Sequence, residues 1–219
     1  MTYTRRAKLH LALATSFLLI STVVGGPAHA SITPQDEFDL PRLTTANSQD
    51  IPSEYLVYPD GTPLPLGAEV YTDEEMAMLE ATATVRVPAS NIGMEARTAE
   101  IVGSCHFSVG NLWKRSSAKS LPHGGIGAKP SISSCWGAVS KTFIRSYVYM
   151  HNGWIWVPVT KAFESYGTWN MEQKSVLYPC NGTGEHTFRV VSYFKASGAK
   201  DVVAAEAQLS SGDYKFKCG

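Results

Sequence analysis

All four cysteines of the 219-residue chain, Cys105, Cys135, Cys180 and Cys218, lie beyond residue 100, and what precedes them decides their chemistry. Arg5, Arg6 and Lys8 lead into an apolar run from Leu11 to Val24, followed by Gly25-Gly26-Pro27 and Ala28-His29-Ala30. This is the pattern of a secretory signal peptide, residues 1–30, with an Ala-x-Ala cleavage site. The run is about 14 residues, short of the roughly 20 that span a bilayer, so no membrane insertion is expected after cleavage. A secreted, extracellular chain with an even set of cysteines favours two disulfides over a thiol nucleophile. No Cys-x-x-Cys spacing is present, which argues against zinc and against dithiol redox chemistry, and no metal or other cofactor is expected. Three pairings are possible and spacing does not choose among them. Cys105–Cys135 and Cys180–Cys218 are favoured because each would join neighbouring strands, closing loops that contribute roughly 3 to 4 kcal/mol each.

The charges are sorted by position. Residues 31–100 hold 13 acidic and 3 basic side chains, whereas 101–219 hold 6 acidic and 13 basic, so a −10 segment precedes a +7 one. Without the signal peptide the chain carries −3, and nucleic-acid binding by the whole protein is not expected. The acidic segment contains Pro34, Pro41, Pro52, Pro59, Pro63 and Pro65 but no cysteine or tryptophan. It reads as a mostly disordered, extended leader over 31–100, too poor in large apolar side chains to offset the entropy of ordering. One short helix is predicted near 72–84, where Thr72 and Glu75 make a capping box and acids gather at the positive end of the helix dipole.

Residues 101–219 alternate as strands do. Ile101, Gly103, Cys105, Phe107 and Val109 fall on one face of a first strand. A long strand is predicted from about Ser134 to Met150, then an Asn152-Gly153 hairpin turn and a return strand beginning at Trp154. Pro158 places that return strand at a sheet edge. Later strands are expected near 173–178, 186–195, 202–209 and 214–218, although Ala204 to Ala207 would also suit a helix. About seven short strands predict an all-β fold, an antiparallel β-sandwich of possibly immunoglobulin-like layout.

Candidate catalytic groups are scattered, and no catalytic residue is assigned. His106, His123, His151 and His186 each have a surface explanation, and Asp201 and Asp213 sit in turns that favour aspartate. There is no Gly-x-Ser-x-Gly elbow. The glycine-rich loop Leu121–Gly127 follows Lys114, Arg115 and Lys119 but lacks the following helix of a phosphate cradle, and it reads as a flexible surface loop. The aromatic residues are more informative. Trp154 and Trp156 share one face of the return strand and Tyr147 and Tyr149 one face of its partner. They are the candidate binding residues: either one aromatic patch beside an open edge, or filling between two sheets.

The stretch from Cys105 to Cys218, with Ser134-Cys135, Trp154-Ile155-Trp156, Tyr178-Pro179-Cys180, Gly184-Glu185-His186-Thr187-Phe188-Arg189 and the terminal Lys217-Cys218-Gly219, resembles small secreted two-disulfide β-proteins of actinomycetes. In layout it is also similar to the adaptor subunits of secreted umbrella toxin particles. That resemblance implies a compact β-domain with an N-terminal segment that engages partner subunits, and it carries over no functional residue. The expectation is a non-enzymatic interaction module, an adaptor or inhibitor that docks on another secreted or cell-surface protein through its leader and a strand edge. Two alternatives compete: a small hydrolase or toxin using His186, Glu185 and Arg189 with the leader as pro-segment, and a cell-wall or glycan binder using Trp154 and Trp156.

Overall fold

Strand alternation dominates the computed structural model, which describes residues 51–58, 60–65, 67–79, 81–88, 101–182, 184–198 and 204–218. Residues 1–30, read above as a signal peptide, residues 31–50 and residues 89–100 lie outside them. In chain order a 3-10 turn (Ser53–Tyr55) and helix α1 (Asp73–Ala77) precede β1 (Thr82–Pro88), β2 (Ile101–Ser108), β3 (Trp113–Arg115), β4 (Gly125–Gly127) and β5 (Ser131–Gly137). Then come β6 (Val139–His151), β7 (Trp156–Pro158), β8 (Phe163–Gly167), β9 (Met171–Glu172), β10 (Leu177–Pro179), β11 (Gly184–Gly198), β12 (Ala204–Ser210) and β13 (Tyr214–Cys218).

The all-β fold and its antiparallel sheets are as expected. One sheet has the order β1-β2-β5-β9; the largest has β12-β11-β6-β7, with β13 beside β11 and β8 beside β6. Phe107 and Ile132 of the first meet Ile144, Val148, Phe188, Val190 and Phe194 of the second in one core, where the Phe107 and Phe194 rings stack at 5.1 Å. A third sheet, β10-β4-β3, adds Ile126 and Tyr178 to it. Cys105–Cys135 joins β2 to β5, and Cys180–Cys218 ties the residue after β10 to the end of β13. Both are the favoured pairings.

Three details differ from expectation for local reasons. Among the described residues between 101 and 218 there are twelve strands rather than seven, in three sheets rather than the two of an immunoglobulin layout. The long strand predicted from Ser134 splits at Gly137, whose φ of 78° breaks the ladder between β5 and β6. The glycine-rich loop is not mobile surface: Gly124 to Ala128 are buried, and Gly125–Gly127 form the central strand of the small sheet. Ala204 to Ala207 are strand because β12 pairs with β11 from Ser197↔Ala204 to Val191↔Ser210, tertiary pairing overriding helix propensity.

The larger correction concerns the leader. The compact unit that holds every described residue takes in residues from Ile51 onward, not only those beyond about 101. Thr82–Pro88 is a strand paired with β2 from Thr82↔Ser108 to Pro88↔Ile101, so the β-branched run ends the helix at Ala77 instead of near 84. The capping box does form: Glu75 N–H donates to Thr72 Oγ1 at 3.3 Å and Thr72 N–H to Glu75 Oε2 at 2.8 Å. A helix of five residues has no stability of its own. It exists because Met76 and Leu79 are buried against the large sheet. Met76→Ala is therefore expected to lower the unfolding free energy by about 2–5 kcal/mol in urea denaturation, and to open residues 69–79 to limited proteolysis. An unchanged midpoint would show that the helix does not hold to the sheet.

Candidate functional site

Pairing of Tyr149 with Arg189 and of Tyr147 with Val191 places odd-numbered residues of β6 and β11 on the face opposite the sandwich core. Trp156, paired with His151, extends that face along β7. This is the aromatic surface read from Tyr147, Tyr149 and Trp156, but it is not open. Trp156 is 3% exposed and Tyr149 1%, because Tyr71, Met76 and Leu79 lie on them. Tyr147 is half-buried. The sheet edge is occupied too: Trp156 N–H donates to the Tyr71 carbonyl at 2.8 Å and Tyr71 N–H to the Trp156 carbonyl at 3.1 Å. Pro158 does stand in an edge strand; of the two alternatives for the aromatic residues, Tyr149 and Trp156 are buried, and the strand edge expected for docking is taken by the chain's own Tyr71.

Polar contacts fix that docking. Trp156 Nε1 donates to Asp73 Oδ1 at 2.8 Å, and the same oxygen lies 3.3 Å from His151 Nε2. The Arg189 guanidinium sits 5.1 Å from the Trp156 ring centroid and donates to the Met76 carbonyl at 2.6 Å, supplementing the long 3.4 Å bond that this helix-end acceptor takes from Leu79 N–H. Arg189 also pairs with Asp213. Deeper in, the Tyr71 and Tyr193 hydroxyls are 3.0 Å apart, Gln208 donates to both, and Tyr193 donates to Glu69. Burial pushes the Tyr71 phenol up to about 12, and raises Tyr149 and Tyr193 above their ordinary range as well.

Beyond the β6–β7 hairpin the surface is open. The connection is not the expected two-residue turn: β6 ends at His151 and β7 starts at Trp156. Asn152 Oδ1 accepts from the N–H groups of Trp154 and Ile155, both at 3.1 Å, and winds the chain into a four-residue loop. Trp154 thus lies in the loop, where strand alternation does not apply, and does not share a face with Trp156. It is 65% exposed. Its ring is backed by Tyr55 at 4.6 Å, and Asn152 Nδ2 donates to the Tyr55 carbonyl at 2.9 Å. These residues, with Glu54, Tyr58, His151 and Lys215, border a cleft of about 560 Å³. Lys215 pairs with Glu185 at 2.8 Å and holds its carboxyl below the usual range, while Glu185 raises the ammonium in return.

The grouping of His186, Glu185 and Arg189 does not converge. Neighbours in β11, Glu185 and His186 project from opposite faces of the strand, Glu185 is paired with Lys215, and Arg189 is committed to α1 and Asp213. Among the described residues no group of three or more His, Cys, Asp or Glu could hold a metal ion. No protein-family model, curated protein or solved structure matches the chain.

Sequence reasoning missed Tyr71, Asp73 and Arg189 as a latch. The available signal was the capping box directly followed by Met76 and Leu79, an apolar pair with no partner inside so short a helix. The tyrosine cluster gives the latch a pH dependence. A phenol raised in the folded state stays protonated there while the unfolded chain ionises near 10.0, so its stabilisation is present below pH 10 and is lost as pH rises through about 12. Alkaline difference absorbance is expected to show these tyrosines ionising only together with loss of near-UV dichroism. Smooth titration of every tyrosine near pH 10, with dichroism intact, would contradict the buried cluster.

Proposed function

We propose that this is an exported binding module that engages another secreted or cell-surface protein at the cleft around Trp154. The observation that carries the reading is the contrast between two tryptophans two residues apart. Trp156 is sealed under residues 69–79, whereas Trp154 is exposed but backed by Tyr55 and a hydrogen-bonded loop. An exposed tryptophan held rigid loses little conformational entropy on binding and offers a large amphipathic surface, which is why such residues anchor protein interfaces. The two disulfides are compatible with an extracellular location.

An adaptor role is also what the resemblance to umbrella-particle adaptor subunits implies. The leader's part in it differs from the first expectation, since residues 51–88 serve this chain's own sheet. Loss of those residues would strip β1 from β2 and uncover Tyr149 and Trp156, which weighs against a removable pro-segment. The glycan-binding alternative keeps one supporting observation, Trp154 standing beside the polar side chains of Glu54, His151 and Lys215.

Copurification of the tagged full-length protein from its native culture supernatant tests the reading. A partner protein is expected to be retained by the wild type and by Trp136→Ala, and lost with Trp154→Ala. Equal retention by both variants removes the Trp154 cleft from the interface. Sedimentation with insoluble peptidoglycan that depends on Trp154 would instead assign the cleft to a glycan.

A further inference from the structure

The small sheet carries a second cleft whose chemistry is quite different. Trp113 and Arg115 share one face of β3, and the Arg115 guanidinium lies 5.9 Å from the indole centroid. The indole lies across Gly127 of the neighbouring strand: a Cβ there would stand 2.5 Å from the ring, so only glycine lets the tryptophan settle against β4. Beside it opens a cleft of about 630 Å³ lined by Trp113, Arg115, Lys129 and Lys174, with Asn111 and Val176.

We propose that this cleft binds an oxyanion, a phosphate or sulfate group carried as an ester, between Arg115, Lys129 and Lys174. Three cations line it and no carboxylate does. Among the described residues none of the three forms an ion pair with an acid. Of the strongly acidic segment 31–100, Glu69 and Asp73 are held on the far face of the large sheet, by Tyr193 and by Trp156, and so do not neutralise this surface. The intervening Lys114 is engaged elsewhere, on the Lys217 carbonyl. Asn111 is anchored by the Tyr214 hydroxyl at 3.0 Å, which steadies the rim.

The match is to an anionic ester group with several acceptor oxygens. A phosphate ester carries about −1.5 to −2 at neutral pH and presents three acceptor oxygens. A guanidinium takes two of these in a fork, and two ammonium groups supply point charge. The Trp113 ring offers an apolar wall to whatever the ester is attached to. Its Nε1–H is buried, with no acceptor among the described residues. A helix-capped phosphate cradle is absent here, as the sequence indicates. The cations instead come from a strand and from the segments beside it.

Titration calorimetry on the full exported chain, with inorganic tripolyphosphate in one arm and a heparin-type sulfated tetrasaccharide in the other, tests the assignment. Saturable binding of at least one probe is expected, and the tighter probe identifies the ester. Reversing two charges together, K129E with K174E, is expected to weaken it by at least about tenfold, since both substitutions act on the bound charge directly. Lys161→Glu, an exposed lysine outside the cleft, is expected to change it by less than about twofold because solvent screens a distant charge. Trp154→Ala should leave it intact, which separates this site from the Trp154 cleft. No saturation by either probe, or an equal loss with Lys161→Glu, overturns the proposal.

Discussion

Pairing of β6 with β11, from Phe188↔Met150 to Ser197↔Lys141, is the contact on which the rest of the molecule depends. Both strands are apolar on both faces: Val148, Val190 and Phe194 point into the sandwich, while Tyr149, Val191 and Tyr193 point the other way. A sheet buried on one side only would leave that second face in water. At roughly 1.5–3 kcal/mol for each large side chain, these three aromatic or branched residues amount to several kcal/mol that some other element has to recover. The sandwich partner already covers the first face. The second cover has to come from outside residues 101–219, and it comes from residues 69–79.

Docking by that segment explains how a proline-rich, acidic stretch becomes ordered at all. Its own apolar content is small, but Tyr71, Met76 and Leu79 are spaced to land on a prepared surface, and a single β-bridge to Trp156 fixes their register. Electrostatics refines the fit without driving it. Asp73 meets the Trp156 N–H and His151, and Arg189 meets both a helix-end carbonyl and the Trp156 ring. The acidic residues used here are few. Among the described residues no acid pairs with Arg115, Lys129 or Lys174 on or beside the small sheet.

The strand-rich character, the disulfide pairs and the capping box were legible because each rests on local chemistry: alternation, even cysteines joining near neighbours, and Thr72 with Glu75 one turn apart. What was not legible depends on long-range partners. Gly125 and Gly127 read as a loop because nothing nearby shows that Trp113 lies across one of them. Trp154 and Trp156 read as one face because alternation was extended into a segment where Asn152 winds the chain into a loop. Residues 51–88 read as unfolded because composition measures what a segment can bury by itself, and here the buried surface belongs to both partners. Strand β1 could have been anticipated from its β-branched residues, but its partner β2 lies beyond residues 89–100.

The fates of the two tryptophans follow from one short step in the chain. Trp156 is the first residue of β7, so its backbone belongs to the ladder and its side chain takes the sheet face opposite the sandwich core, which residues 69–79 cover. Two residues earlier no ladder constrains the backbone, and Asn152 turns Trp154 outward onto Tyr55, which comes from the same N-terminal segment. Residues 51–79 thus act twice: they bury one tryptophan and form the backing of the other. A disturbance of the latch at Tyr71 would consequently reach the Trp154 cleft through the chain between Tyr55 and Tyr71. Sealing the aromatic face and shaping the open cleft are then two results of a single docking event, so residues 51–79 are part of the cleft and not merely a tether to it.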